Sequence, residues 1–245
     1  MLIADMTLRV KTEGRALARK LGLLSPLARV KGLVDRLAGR DGYERAFDDA
    51  LRAEVRSGDV IWDVGANLGL YTRMFSEAAG PSGLVCGFEP VSSCFEELKR
   101  RCEGRSNVRL FGLALGDREA ELPMWVATDP LGATHSLVAR TESLTNQTKI
   151  DVRVAPGDAL ITAECVPTPN VIKVDVEGFE EEVLLGLQNA ISRPECRAVF
   201  VEVHFAVLEG RGTRHAPARI QRFLSDKGFR VRWTDSSHLA ARRAS

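Results

Sequence analysis

The sequence lacks a paired-cysteine pattern. Its five cysteines, Cys86, Cys94, Cys102, Cys165 and Cys196, are odd in number and include no C-x-x-C. That argues against a disulfide framework and a zinc clip, and leaves reduced thiols in a reducing compartment as the expectation. Long hydrophobic runs are also lacking. No apolar stretch reaches spanning length, and no signal-peptide core precedes a small-residue cleavage site, so the expected location is the cytoplasm. Nor is there an excess of one charge sign: the formal net charge is +1, and no global field points to nucleic acid or an acidic substrate. What remains is ordinary for a globular protein. With 245 residues, 44% hydrophobic and 27% charged, there is room for one α/β domain and an extension.

Positive charge is nevertheless uneven. Arg9, Lys11, Arg15, Arg19, Lys20, Arg29, Lys31, Arg36 and Arg40 crowd the first forty residues, against Asp5, Glu13 and Asp35. Leu17, Leu21 and Leu24 recur at helical spacing, and Leu27, Val30, Leu33, Val34 and Leu37 continue the pattern after Pro26. A basic-faced helix of this kind packs on its own domain or on a partner; the sharper alternative is peripheral contact with a membrane surface or a substrate carrier. The oligomeric state stays open.

From Val60 onward, short apolar runs alternate with helical stretches. Strands are expected at Val60–Trp62, Leu84–Phe88, Val108–Leu113, Val171–Val174, Val199–Val203 and Phe229–Trp233. Helices are expected at Asn67–Ala78, near Ser92–Cys102, at Phe179–Asn189 and at Pro217–Lys227. Such alternation with nearly continuous apolar strands predicts a mostly parallel, doubly wound sheet, a Rossmann-like α/β fold. Glu121–Ala127 and Lys149–Val154 break the rhythm and predict an added β-hairpin, whose long loop includes Gly132 to Ser136.

Asp63-Val64-Gly65-Ala66-Asn67-Leu68-Gly69 stands where the first strand turns into the first helix. Glycine there lets a ligand approach the backbone. A dinucleotide fingerprint spaces its glycines G-x-G-x-x-G, whereas these are G-x-x-x-G. Asp63, two residues before Gly65, would repel a diphosphate but attract the ammonium and sulfonium of S-adenosylmethionine. Gly65, Ala66, Asn67 and Gly69 are therefore expected to line a site for that cofactor. Glu89, in Phe88-Glu89-Pro90 at the end of the second strand, can accept both ribose hydroxyls. Asp117, in Leu115-Gly116-Asp117, sits where the adenine end would lie, or is simply a turn residue.

Ile172-Lys173-Val174-Asp175-Val176-Glu177-Gly178 places three charged groups at the carboxyl end of a buried strand, where open α/β sheets hold ligands. Unpaired burial of Lys173, Asp175 and Glu177 would cost several kcal/mol, so pairing or catalysis is expected. Glu202 and His204 end the next strand, and adjacency would bring all of these to one crevice. With these motifs the chain resembles the FkbM-family methyltransferases, over Gly58 to about Trp233. The resemblance rests on the glycine turn, Phe88-Glu89-Pro90, the lysine–aspartate–glutamate–glycine strand and Val201-Glu202. It implies a class I methyltransferase fold and O-methylation of a hydroxyl on a natural product or sugar. It also makes Ser136 similar to the serine of the family's hairpin loop, and Asp158 to its aspartate before a short helix. Pro156-Gly157 and Leu185 depart from the family pattern. The expected organisation is a basic helical extension over 1–55 and a methyltransferase domain over 56–245.

For proton removal from an acceptor hydroxyl, His204 is the first candidate, since an ordinary imidazole titrates near neutral pH. Asp175 and Glu177 are alternatives; His215 and His238 carry no signal. Asp175, Glu177 and Glu202, with His204, also form a possible magnesium- or manganese-type ligand set, although Lys173 can neutralise the acids without an ion. A small-molecule or glycoside acceptor is expected. Nucleic acid is not, because no N/D-P-P-Y-type segment occurs and the basic residues lie outside the domain. The competing readings are a NAD-dependent oxidoreductase and a non-catalytic partner-binding module of the same fold.

Overall fold

The computed structural model describes residues 42–127, 135–136, 147–163 and 166–243. The expected helical pattern from Leu17 to Leu37, Cys165, and most of the loop between the hairpin strands lie outside these residues. The chain divides into two compact units, 1–45 and 46–245. The second unit begins at Ala46, inside the extension expected over 1–55. The reason is helix α1 (Gly42–Glu54), whose Phe47 and Leu51 are wholly buried with Ile61, Phe75, Val85, Val171 and Phe200. Burying each such side chain is worth about 1.5–3 kcal/mol, so this turn of helix is part of the core and not an appendage.

The central layer has seven strands. In chain order they are β1 (Val60–Val64), β2 (Leu84–Phe88), β3 (Val108–Phe111), β8 (Val171–Val174), β9 (Ala198–Glu202), β10 (Phe229–Trp233) and β11 (His238–Arg243). The numbers between belong to a second sheet: β4 (Ala114–Leu115), β5 (Ala120–Ala127), β6 (His135–Ser136) and β7 (Gln147–Ala155). The spatial order of the main sheet is β10-β11-β9-β8-β1-β2-β3, with β3, β2, β1, β8 and β9 parallel. Strands β1, β2, β8 and β9 are buried along nearly their whole length, as expected of a sheet covered on both faces. Helices α2 (Leu70–Ala79) and α3 (Ser92–Arg101) follow β1 and β2; short helices α5 (Glu180–Leu185) and α6 (Gln188–Ser192) follow β8. Between them comes α4 (Gly157–Thr162), and α7 (Phe205–Gly210) and α8 (Ala216–Asp226) follow β9. Successive crossovers run outward from β1 on one side and from β8 on the other. The carboxyl ends of β1 and β8 thus flank the switch point where such sheets leave a crevice.

Four local expectations change. Strand β11 was not legible, because Leu239-Ala240-Ala241 is only a three-residue apolar run between His238 and two arginines; it slots antiparallel between β9 and β10. The third strand stops at Phe111, and Ala114–Leu115 pairs instead with the parallel β7. The first helix starts at Leu70, not Asn67, because Asn67 and Gly69 both adopt positive φ. The single helix expected at Phe179–Asn189 is broken. A Cβ at Gly186 would lie 1.8 Å from the Gly116 carbonyl oxygen, and Asp158 caps the second piece by accepting from Asn189 N and Ala190 N, both at 2.8 Å. Asp158 itself lies inside α4, not before it. The added hairpin forms as expected, β5 pairing antiparallel with β7 from Ala120↔Val154 to Ala127↔Gln147.

Candidate functional site

At the β1 corner, Gly65 N and Ala66 N donate to the Phe88 carbonyl, and Asp175 N donates to the Val64 carbonyl. These bonds clamp the end of β1 between β2 and β8. To the expected reason for Gly65, room for a ligand, the fold adds a steric one. Its φ is +80°, and a Cβ would meet the Asp175 carbonyl oxygen at 1.8 Å. Gly69 is likewise filled from inside, its missing Cβ space taken by Leu98 of α3 at 2.6 Å. Ala66 packs against Leu98 and Cys102. Asn67 sits in the left-handed region at φ 48°, which aims its backbone N–H at Glu89 Oε2, 2.9 Å away.

Glu89 is 4% exposed, and its other oxygen accepts from Val91 N at 2.8 Å. Burial pushes its pKa up to about 7, against the pull of these two backbone donors. A carboxylate held at the end of β2, with lone pairs remaining after two donors, suits a diol. Pro90 carries the chain from Glu89 into α3. Asp117 is an exposed turn residue paired with its neighbour Arg118 at 3.1 Å.

Asp63 departs from expectation. It is wholly buried, accepting from Thr72 Oγ1 at 2.6 Å, with Lys173 Nζ 3.3 Å from its second oxygen. Its charge is paired inside the fold, as a carboxylate at that depth requires a partner. Lys173, 3% exposed, also lies 3.4 Å from Asp175 and 4.6 Å from the Tyr71 ring, whose hydroxyl donates to Asp48. Burial works against the lysine's charge, but Asp63 and Asp175 outweigh it and leave the pKa raised. Lys173 is therefore an ion-pair hub beneath the crevice.

The crevice acids come from β8 and β9. His204 Nε2 faces Asp175 at 3.7 Å, Glu177 at 3.6 Å and Glu202 at 3.6 Å, so the four side chains expected to meet do meet. Its Nδ1 is held at 2.7 Å by Glu180, a wholly buried carboxylate that also accepts from Gly178 N. Glu177 reaches the group from a left-handed backbone, φ 52°, followed by Gly178 at φ 98°. Burial pushes the imidazolium's pKa down, yet Glu180, Glu177 and Asp175 more than offset it, and the value rises to about 9. An imidazole of ordinary pKa was the expectation; these carboxylates make it a cation at neutral pH. Burial raises the Asp175 pKa, which Lys173 only partly opposes. Glu202 is lowered, burial being outweighed by His238, His204 and Lys173.

Three participants escaped the sequence reading. Glu180, two residues past the charged motif, was given no role, although it is the group that fixes the His204 ring. His238, taken to carry no signal, is 4% exposed and sits 3.4 Å from Glu202, with Asp235 at 2.8 Å on its other nitrogen. The available signal was Asp235 preceding Ser237 and His238, a spacing that suits a side-chain-capped turn. Ser136 lies in β6, its backbone paired with Trp125.

Asp175, Glu177 and His204 each bring one ligand atom within 4.8 Å of the others, so of the four possible metal ligands these three form the geometric set, without Glu202. The proton on His204 already supplies these acids with a cation in place of an ion. At the crevice itself Asp175, Glu177 and Glu202 outnumber His204, Lys173 being shared with the buried Asp63, which leaves the crevice acidic. Among the described residues no helix is long and apolar enough to cross a membrane.

A seven-stranded sheet with one antiparallel insertion and an acidic crevice at its switch point is the class I methyltransferase architecture. More particularly, the chain matches the methyltransferase FkbM domain over residues 63–231 and belongs to that family. It is 32% identical over 166 residues to the hexuronic acid methyltransferase AglP of Haloferax volcanii, covering 66% of this chain and 64% of that protein. This chain thus spans under two thirds of the length of that relative. It is 30% identical over 192 residues to the 31-O-demethyl-FK506 methyltransferase FkbM of Streptomyces tacrolimicus, covering 66% and 73% of the two chains. Among solved structures, the FkbM methyltransferase of Methylobacillus flagellatus superposes with a TM-score of 0.50 at 18% identity, over 75% of this chain and 43% of that one. A putative methyltransferase of Streptococcus mutans in complex with SAH gives 0.51 at 11%, over 83% and 99%. These two establish the fold.

Proposed function

We propose that this protein is an S-adenosylmethionine-dependent O-methyltransferase acting on an oxygen of a small molecule or glycoside. The observation that carries the reading is the acidic crevice at the β1–β8 switch point, beside a buried Glu89 poised to accept a ribose diol. An excess of carboxylates favours a ligand with sulfonium and ammonium charges and disfavours the diphosphate of NAD. Membership in the FkbM family supports it, as do the activities of the two relatives, one on hexuronic acid and one on 31-O-demethyl-FK506.

In this reading Gly65, Ala66, Asn67, Gly69, Glu89 and Pro90 shape the nucleoside site, Asp63 holding its floor through Lys173. Asp117 is the remaining candidate at the adenine end. Bound S-adenosylmethionine supplies an electrophilic methyl group. The protein's part is to orient the acceptor and take up its proton. His204 Nε2 is the receiving atom; Glu180 fixes the ring through Nδ1, and Asp175, Glu177 and Glu202 stabilise the imidazolium that forms. Because those same acids keep His204 charged in the resting crevice, turnover rises with pH toward about 9. No metal is required. The basic segment over 1–41 lies outside the described residues and keeps its reading as an extension.

Incubating the protein with S-adenosylmethionine and a panel of uronic acid glycosides and polyketide alcohols, followed by mass spectrometry, tests the reading. A product heavier by one methyl group supports it. Nicotinamide cofactor binding in place of S-adenosylmethionine binding would replace it with an oxidoreductase. Full turnover after exhaustive EDTA treatment is expected; loss of turnover restored by magnesium would assign Asp175, Glu177 and His204 to an ion instead.

A further inference from the structure

We propose that Asp235 and His238 form a positioning pair that holds Glu202 against His204. The proposal rests on the methyl-transfer reading only for its consequence on rate. Strand β11 lies beside β9 with His238 directly opposite Glu202. His238 is buried, and both of its ring nitrogens are engaged. Nδ1 lies 2.8 and 2.9 Å from the two Asp235 oxygens, and Nε2 lies 3.4 Å from Glu202 Oε2. The opposite oxygen of Glu202, Oε1, faces His204 Nε2 at 3.6 Å. One carboxylate thus links two histidines on different strands.

Asp235 is itself fixed. Its Oδ1 accepts from Ser237 N and His238 N, each at 2.9 Å, which closes the β10–β11 turn on the ring it holds. Val203 N donates to the Ser237 carbonyl, so the turn is tied to the residue between Glu202 and His204. The Phe47 ring lies against the His238 imidazole, with centroids 4.3 Å apart. A ring held on one edge by a carboxylate can donate from the other, and the only charged group at that other edge among these contacts is Glu202. Without His238, Glu202 has a single partner left to aim at, and half-exposed glutamates choose among many rotamers.

Long-range proton–nitrogen NMR on the full chain labelled with [15N]histidine, at neutral pH with EDTA present, reads this link. Glu202→Gln is expected to displace the His204 ring signals. His238→Gln is expected to displace them the same way, and the double variant no further, since both changes cut one chain of contacts. If His238→Gln destabilises the fold, Asp235→Asn loosens the same ring from the turn and should give a smaller displacement in the same direction. His204 signals that stay put in His238→Gln and Asp235→Asn, or displacements that simply add in the double variant, overturn the proposal. Failure of the wild-type chain to bind S-adenosylmethionine in a parallel titration overturns the methyl-transfer reading and leaves the NMR result to decide the link.

Discussion

At the β1 corner the chain is held by backbone: Gly65, Ala66 and Asn67 donate to Phe88 or Glu89, and sterics dictate which residues fit. At the β8–β9 edge it is held by charge. There Lys173 and His204 are surrounded by carboxylates from β1, β8, α5 and β9. The first region tolerates no added atom; the second tolerates changes of shape but not of charge balance. Substitutions at the corner should therefore damage folding or cofactor binding, whereas those at the edge should damage proton transfer and its pH dependence.

The largest effect is expected from Gly65→Ala. A Cβ 1.8 Å from the Asp175 carbonyl, on a left-handed backbone, should cost roughly 2–4 kcal/mol, read as a lower melting temperature with or without ligand. Unchanged stability would mean that the β1 and β8 ends are not clamped together. Next comes His204→Gln. It should lower turnover about 10²–10⁴-fold while S-adenosylmethionine affinity changes little. Equal losses in both would place His204 in cofactor binding instead.

The two regions should also part company with pH. Glu89, raised to about 7, gains its charge through neutrality, so affinity for S-adenosylmethionine should strengthen as pH climbs through 7. For His204 the sign is the reverse for stability. Its folded pKa, about 9, lies above the ordinary 6.5, so its contribution is complete below 6.5 and is lost as pH rises through 9. A melting-temperature series from pH 6 to 10 should show that loss in the wild type and not in His204→Gln. The smallest expected effect is Asp158→Ala. Losing the cap on α6 should cost about 1 kcal/mol by denaturant titration.

The same contrast explains what could be read in the sequence. Gly65, Asn67 and Glu89 stand in a local run and at a strand end, so spacing alone located the corner. The acids of β8 and β9 were legible for the same reason, because each follows a buried apolar strand. What lay hidden depended on partners far apart in the chain. Asp63 looked like a ligand-facing acid until Lys173, 110 positions later, was seen to neutralise it. His204 looked like an ordinary base until Glu180, 24 positions earlier and in a different element, proved to hold its ring. His238 was silent because β11 has too little apolar pattern to announce a strand, and its importance comes wholly from lying opposite Glu202.

Titration calorimetry at pH 7.5, comparing S-adenosylmethionine with NAD on the wild type and on Glu89→Ala, probes the central claim most directly. Saturable heat with S-adenosylmethionine, none with NAD, and loss of that heat in Glu89→Ala is the outcome this account requires. Heat with NAD alone, or with neither compound, would contradict it.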